Sequence, residues 1–175
     1  MPNRRKFIQV SLSSLPFLAA CQTSKSTVQT FQKPVVVSTW DSGIRANAPA
    51  WKVLQQNGRA LDAVEEAAKY AEIEPSCCVG LDGNPDRDGK VTLDASIMDE
   101  NSNCGSVAFL EHIKHPISVA RKLMETTPHV FLVGGGAEQF ALQNGFERMP
   151  EKLSEDAQKE YQKWLEKSEY KPIIN

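Results

Sequence analysis

Gly80-Leu-Asp-Gly-Asn-Pro-Asp-Arg-Asp-Gly89, Val91-Thr-Leu-Asp-Ala-Ser-Ile-Met98 and Ser106-Val-Ala-Phe-Leu110 decide the fold of this 175-residue chain. Val91, Leu93, Ala95 and Ile97 alternate with Thr92, Asp94, Ser96 and Met98, the period of a β-strand. Asp99 to Asn103 carries acidic, amide and serine residues, which form turns. Val107, Phe109 and their neighbours form a second apolar run. The reading is two antiparallel strands joined by a short loop. Small or apolar residues on both faces predict cover on both. Asp94 interrupts this in mid-strand, and a buried carboxylate there must be hydrogen-bonded or line a cleft. Asp94 is therefore expected to support a site from behind.

Working outward, Pro34-Val-Val-Val-Ser-Thr-Trp40 is strongly β-prone and ends at Asp41-Ser-Gly43. Asn47 is expected to cap a helix with Pro49 in its first turn, running to Gly58. A second helix is predicted over Ala60–Glu72, with Leu61, Val64, Ala68 and Ala71 on one face. Pro116 opens another, with Ile117, Ala120 and Met124 on one side, closing before Pro128. His129–Val133 reads as a strand, and Gly134-Gly-Gly136 as a close turn into a helix with Phe140 and Ala141 inward. Ser154 is placed as the cap of a helix carrying Ala157, Tyr161, Trp164 and Leu165 on one face. Tyr170–Asn175 reads as the start of a strand. Consecutive antiparallel strands with grouped helices point to a layered mixed α/β fold, not a doubly wound parallel sheet.

The leader is read separately. Arg4-Arg5-Lys6 followed by an apolar stretch to Ala20 has the form of a twin-arginine signal, and the stretch is short for a membrane span. Leu18-Ala-Ala-Cys21 looks like a lipobox, with Cys21 the expected lipidation site. Residues 1–21 are thus read as signal peptide, 22–33 as a polar tether and 34–175 as the folded portion. An exported, outer-membrane-anchored or periplasmic product is expected, touching the membrane through its lipid. Without residues 1–21 the chain keeps 17 basic against 22 acidic residues, net −5. That balance argues against nucleic acid as a partner.

Cys77, Cys78 and Cys104 remain. His112, His115 and His129 do not stand at zinc spacing from them, so no metal site and no cofactor are expected. Export permits a disulfide joining Cys104 to Cys77 or Cys78. Asn84-Pro-Asp-Arg-Asp-Gly89 resembles part of a calcium loop, but an EF-hand starting at Asn84 would need glutamate at Ala95, so a Pro/Asp/Gly turn is the better reading. Gly134–Gly136 lacks the spacing of a nucleotide motif. Trp40, at the end of a β-prone run, suits either ligand contact or a core cap.

The ordered blocks Ser38-Thr-Trp40, Ala50-Trp-Lys-Val-Leu54, Gly58-Arg-Ala-Leu-Asp-Ala-Val64, Pro85-Asp-Arg-Asp-Gly89, Val91-Thr-Leu-Asp-Ala95, Ile97-Met-Asp-Glu100, Gly105-Ser-Val-Ala108, Pro116-Ile-Ser-Val-Ala-Arg121 and Thr127-Pro-His-Val130 resemble the glycosylasparaginases, in the asparaginase group of N-terminal nucleophile hydrolases. The resemblance spans roughly residues 34–175. It implies a four-layer αββα sandwich, incomplete in this chain, and a precursor that cuts itself into α and β chains. The β chain's N-terminal threonine would attack the amide joining asparagine to N-acetylglucosamine, with its own α-amine as base. The chain matches the α part, so no catalytic residue is expected within it, and its partner would be its own β chain in a dimer of αβ units. The substrate would be a small glycoasparagine or an asparagine-like molecule. Trp40 matches the tryptophan lining the family's substrate pocket, and Cys78 aligns with a pocket-side serine. Ser42 stands where the family has an aromatic, and Gly80-Leu-Asp-Gly83 replaces Gly-Tyr-Gly-Gly. These departures leave an L-asparaginase or isoaspartyl peptidase on the same scaffold as an alternative. A truncated, inactive lipoprotein that is not an enzyme is the alternative from another class.

Overall fold

The computed structural model describes residues 33–76 and 78–167. The leader with Cys21, nearly all of the tether, Cys77 and the strand expected from Tyr170 lie outside the described residues. Eight elements follow one another: α1 (Gly43–Gln55), α2 (Ala60–Ile73), β1 (Leu93–Met98), β2 (Cys104–Leu110), α3 (Pro116–Thr126), β3 (Phe131–Val133), α4 (Gly134–Gln143) and α5 (Glu155–Leu165). The sheet order is β1-β2-β3, with β1 antiparallel and β3 parallel to β2. The parallel step is made by α3 crossing over the sheet, so this is a mixed α/β layer, as expected. None of the described helices is long and apolar enough to cross a membrane.

The hairpin forms where alternation places it. Its loop is held by Asp99, whose carboxylate accepts from the Asn101 and Asn103 amides and the Asn103 side chain, each at 2.9 Å. The pairing shifts between Leu93 and Ala95, because β2 carries one extra residue opposite Asp94. That bulge puts Phe109 at a φ of 52°. It turns Phe109 outward and Leu110 fully into the core. Asp94 stabilises the bulge by accepting from the Phe109 N–H at 2.8 Å.

One face of the sheet carries the core. Leu61 of α2, Val107 and Leu110 of β2, Ile113, Val119 of α3 and Ala137 and Ala141 of α4 form one buried cluster. Contact between α3 and β2 is close enough that a Cβ on Gly105 would stand 2.1 Å from the Ala120 carbonyl oxygen, so only glycine fits. The expected cover of the second face is absent among the described residues. Asp94, Ser96 and Met98 are exposed, as are Phe131 and Val133, which pair across from Ser106 and Ala108. The expectation of a buried Asp94 is corrected with it: the carboxylate is exposed and bonds a bulge, not a core.

Three local readings also change. Val35–Trp40 joins no strand of the sheet, and Val35 and Val37 are exposed. β-propensity makes a strand only where a partner edge is available. Helix α1 starts at Gly43, not at Asn47, because the turn bonding Gly43 N–H to the Trp40 carbonyl at 2.8 Å runs directly into it. Asn47 instead accepts a hydrogen bond from the Ser38 hydroxyl, and Pro49 lies inside the helix. Gly134–Gly136 form the first turn of α4, not a separate turn. The cap on α5 is as expected, with Ser154 Oγ accepting from the Ala157 N–H at 3.2 Å. The Asn84–Gly89 segment is a turn: Asp86 accepts from the Asp88 and Lys90 amides, both at 2.9 Å.

Candidate functional site

The segment Thr39–Ser42, the last turn of α2, and Pro75, Ser76, Cys78 and Val79 line an open cavity of about 570 Å³. Trp40, Ser42, Arg45, Tyr70, Glu74 and Cys78 line it. Trp40 is 79% exposed, so its indole is not a core cap. Arg45 Nη2 pairs with Glu74 Oε2 at 2.9 Å. Tyr70 also bonds Glu74, which raises the phenol above its usual range. On the far wall Ser76 Oγ accepts from the Val79 N–H at 3.1 Å and from the Cys78 N–H at 3.3 Å, fixing the loop that presents Cys78. Cys78 is disulfide-bonded. Cys104 is free, which removes the expected pairing of Cys104 with Cys77 or Cys78.

Two residues singled out in the sequence, Trp40 and Cys78, are thus brought together, and Asp94 is not among the lining residues. A flat exposed indole beside an ion pair can hold a polar ligand with an apolar face. No histidine lines the cavity to activate a hydroxyl, and a disulfide-bonded sulfur is not a thiolate nucleophile. The described walls hold no nucleophile with its base. A neighbouring cavity of about 770 Å³ shares Trp40 and Ser42 and runs along Val35–Thr39 to Ser96, on the uncovered face of β1.

Local patterning misses one group below this cavity. Glu72 is buried near the end of α2, where Oε1 accepts from the Ile117 N–H and Oε2 lies against His115 Nδ1, both at 3.0 Å. Burial pushes its carboxyl up to about 7, against the pull of the Ile117 N–H. Burial, ahead of Lys69 and Lys114, pushes the His115 imidazole down. Further back along the same stripe, Glu65 accepts from the Ser118 hydroxyl and the Arg121 guanidinium, each at 2.6 Å. A signal for this group exists: Glu65 and Glu72 continue the Leu61–Ala68 stripe of the apolar face, and acids there need partners across the helix interface.

Residues 20–173 match the asparaginase family. Over 180 residues the chain is 51% identical to an N(4)-(beta-N-acetylglucosaminyl)-L-asparaginase of Elizabethkingia miricola, covering 99% of this chain and 53% of that protein. It is 45% identical to a plant-type L-asparaginase of Pyrococcus abyssi, over 71% of this chain and 41% of that one. It is 42% identical to an isoaspartyl peptidase of Salmonella typhimurium, over 56% of this chain and 32% of that one. The chain spans about half the length of the first of these relatives and less of the other two.

Proposed function

The chain belongs to the asparaginase family of N-terminal nucleophile hydrolases, and from that premise we propose that it is the α-chain portion of an amidohydrolase cleaving the amide between N-acetylglucosamine and asparagine. One observation carries the reading: an exposed Trp40 stands beside a sheet face that nothing covers among the described residues. On this reading the chain supplies half of the site and half of an αββα sandwich. A β chain would pack its own sheet on the open face and bring the threonine. Its hydroxyl attacks the amide carbon while its α-amine takes the proton; donors of the β chain hold the oxyanion, the C–N bond breaks as the sugar's amine leaves with that proton, and water then hydrolyses the threonine ester, releasing aspartate and freeing the hydroxyl. Assembly as a dimer of αβ units belongs to the same proposal.

A second reading, an L-asparaginase or isoaspartyl peptidase, is favoured by a specific observation. Ser42 and Cys78, both departures from the glycosylasparaginase pattern, line the cavity of Trp40 itself. The substrate's sugar end would lose an aromatic wall at Ser42 and a hydroxyl partner at Cys78. The test is a chimera in which this chain is followed by the remainder of the Elizabethkingia relative, assayed on aspartylglucosamine, asparagine and a β-aspartyl dipeptide. Fastest turnover of aspartylglucosamine supports the first reading, with Trp40→Ala raising KM. Preference for either smaller substrate moves the assignment to the second. Hydrolysis by the 175 residues alone would overturn both. Export with lipid on Cys21 is proposed from Arg4-Arg5 and Leu18-Ala-Ala-Cys21. A fatty-acid analogue should label cells making the wild type and not Cys21→Ser; equal labelling would count against it.

A further inference from the structure

Away from that cavity, His112 lies between β2 and α3 at a φ of 61°. Its side chain is nine-tenths buried, at 9% exposure. Nδ1 is 3.2 Å from Glu138 Oε1. Arg148 Nε donates to the same oxygen at 2.8 Å. Nε2 faces the other way. There it meets Glu111 Oε2 at 3.9 Å and Glu151 Oε2 at 3.8 Å, beyond hydrogen-bond distance. All three residues line a cavity of about 310 Å³. The three ligand atoms lie within 4.8 Å of one another, the only such group of three among the described residues.

We propose that Glu111, His112 and Glu151 bind a divalent transition-metal ion of the zinc type, with Glu138 as the carboxylate behind the histidine. One imidazole and two carboxylates, with water in the fourth position, are a ligand set that zinc accepts. Ligands about 2.0 Å from a tetrahedral zinc stand about 3.3 Å apart, so the set must contract by less than about 1.5 Å. Glu151 is exposed and free to swing in. A carboxylate on the far nitrogen fixes the imidazole's tautomer and raises its basicity, the part Glu138 would play. Two positive charges compete. Lys90 Nζ is 3.6 Å from Glu111 Oε2, and Arg148 Nη2 is 3.1 Å from His112 Nδ1, a contact that favours a proton on Nε2. For Nε2 to take a metal, the imidazole proton must sit on Nδ1 against Glu138, with Arg148 turned wholly onto Glu138. The site is structural. The Met149 N–H already donates to the His112 carbonyl at 2.8 Å, and the metal would fasten the segment leading into α5 to the β2–α3 connection.

Zinc titrated into the full chain by calorimetry, with cobalt absorption as a second readout, tests this. One equivalent should bind and raise Tm. Glu151→Gln, at an exposed position, should weaken binding at least tenfold and remove the rise in Tm, and Glu138→Gln should weaken it by about 10- to 100-fold. His129→Gln should change neither. Equal binding by wild type and Glu151→Gln, or the absence of a stoichiometric site, would overturn the proposal.

Discussion

The two faces of one three-stranded sheet differ sharply. On one, Val107 and Leu110 are 1% and 0% exposed, and α3 touches the strand backbone at Gly105. On the other, Met98, Phe131 and Val133 are 60%, 53% and 52% exposed. The closed face of β1 and β2 is apolar throughout, whereas the open face mixes Asp94, Ser96 and Ser106 with Met98, Phe131 and Val133. The covered face is closed by the segments next to it in the chain, since α3 and α4 flank β3. No described segment closes the other face.

The largest effect should come from disturbing the closed side. Gly105→Val forces a side chain into the Ala120 carbonyl, and overpacking of this kind costs about 3 kcal/mol. Gly136, exposed in the first turn of α4, has nothing within 4 Å of the place a Cβ would occupy. Gly136→Ala should be neutral or slightly stabilising, by up to about 1 kcal/mol. Urea midpoints of the two variants decide this; similar values would remove the distinction between a packed and an open backbone.

How much of this is legible in the sequence follows from range. The hairpin, α2, α3 and the Ser154 cap rest on neighbours within a few residues, and alternation, stripe and cap residue reveal them. Val35–Trp40 reads as a strand and is not one, because a strand needs an edge, and an edge is not a local property. Asn47 does not serve as a cap because the turn from Trp40 already starts the helix at Gly43, and its side chain accepts from Ser38, nine residues away. Asp94 does need a donor, as its place in the strand predicts, but the donor is the amide of a bulge that alternation does not reveal. Trp40 and Cys78 come from family resemblance, and no local pattern joins them in one cavity. Cysteine spacing does not lead to the group around His112, because two of its ligands are carboxylates and one lies in the loop before α5.

The next effect concerns the α2–α3 contact beneath the closed face. Glu72 titrates near the ordinary 4.5 when unfolded and at about 7 when folded. Its contribution to stability is complete below 4.5 and is lost as the pH rises through 7. At about 1.4 kcal/mol per unit this alone would be on the order of 3 kcal/mol. His115 works against it: a depressed imidazole loses its contribution as the pH falls and regains it toward 6.5. Glu65, Lys69 and Lys114 face the same pair, so the net loss should be nearer about 1–2 kcal/mol. Glu72→Gln keeps an acceptor for the Ile117 N–H and removes the titration. Its stability should vary less than the wild type's across this window, and parallel curves would show that Glu72 does not carry the dependence.

The smallest effect on stability should come from the open face, and it separates the two faces most directly. Met98→Ser, Phe131→Ser and Val133→Ser remove side chains that are about half or more exposed, so each should change the stability of this chain by no more than about 0.5 kcal/mol. The same changes on the closed side, at Val107 or Leu110, should cost several times as much, because they leave a cavity or bury a hydroxyl. Exposed apolar side chains on a sheet with free edges also favour self-association. The triple serine variant should therefore sediment more nearly as a monomer than the wild type. If the open face is where a β chain packs, the triple variant of the chimera should lose assembly and turnover although its α portion stays folded. Full activity in that variant would show that the exposed face is ordinary surface, and the partner would have to be sought at the edge of β1 and along Val35–Trp40.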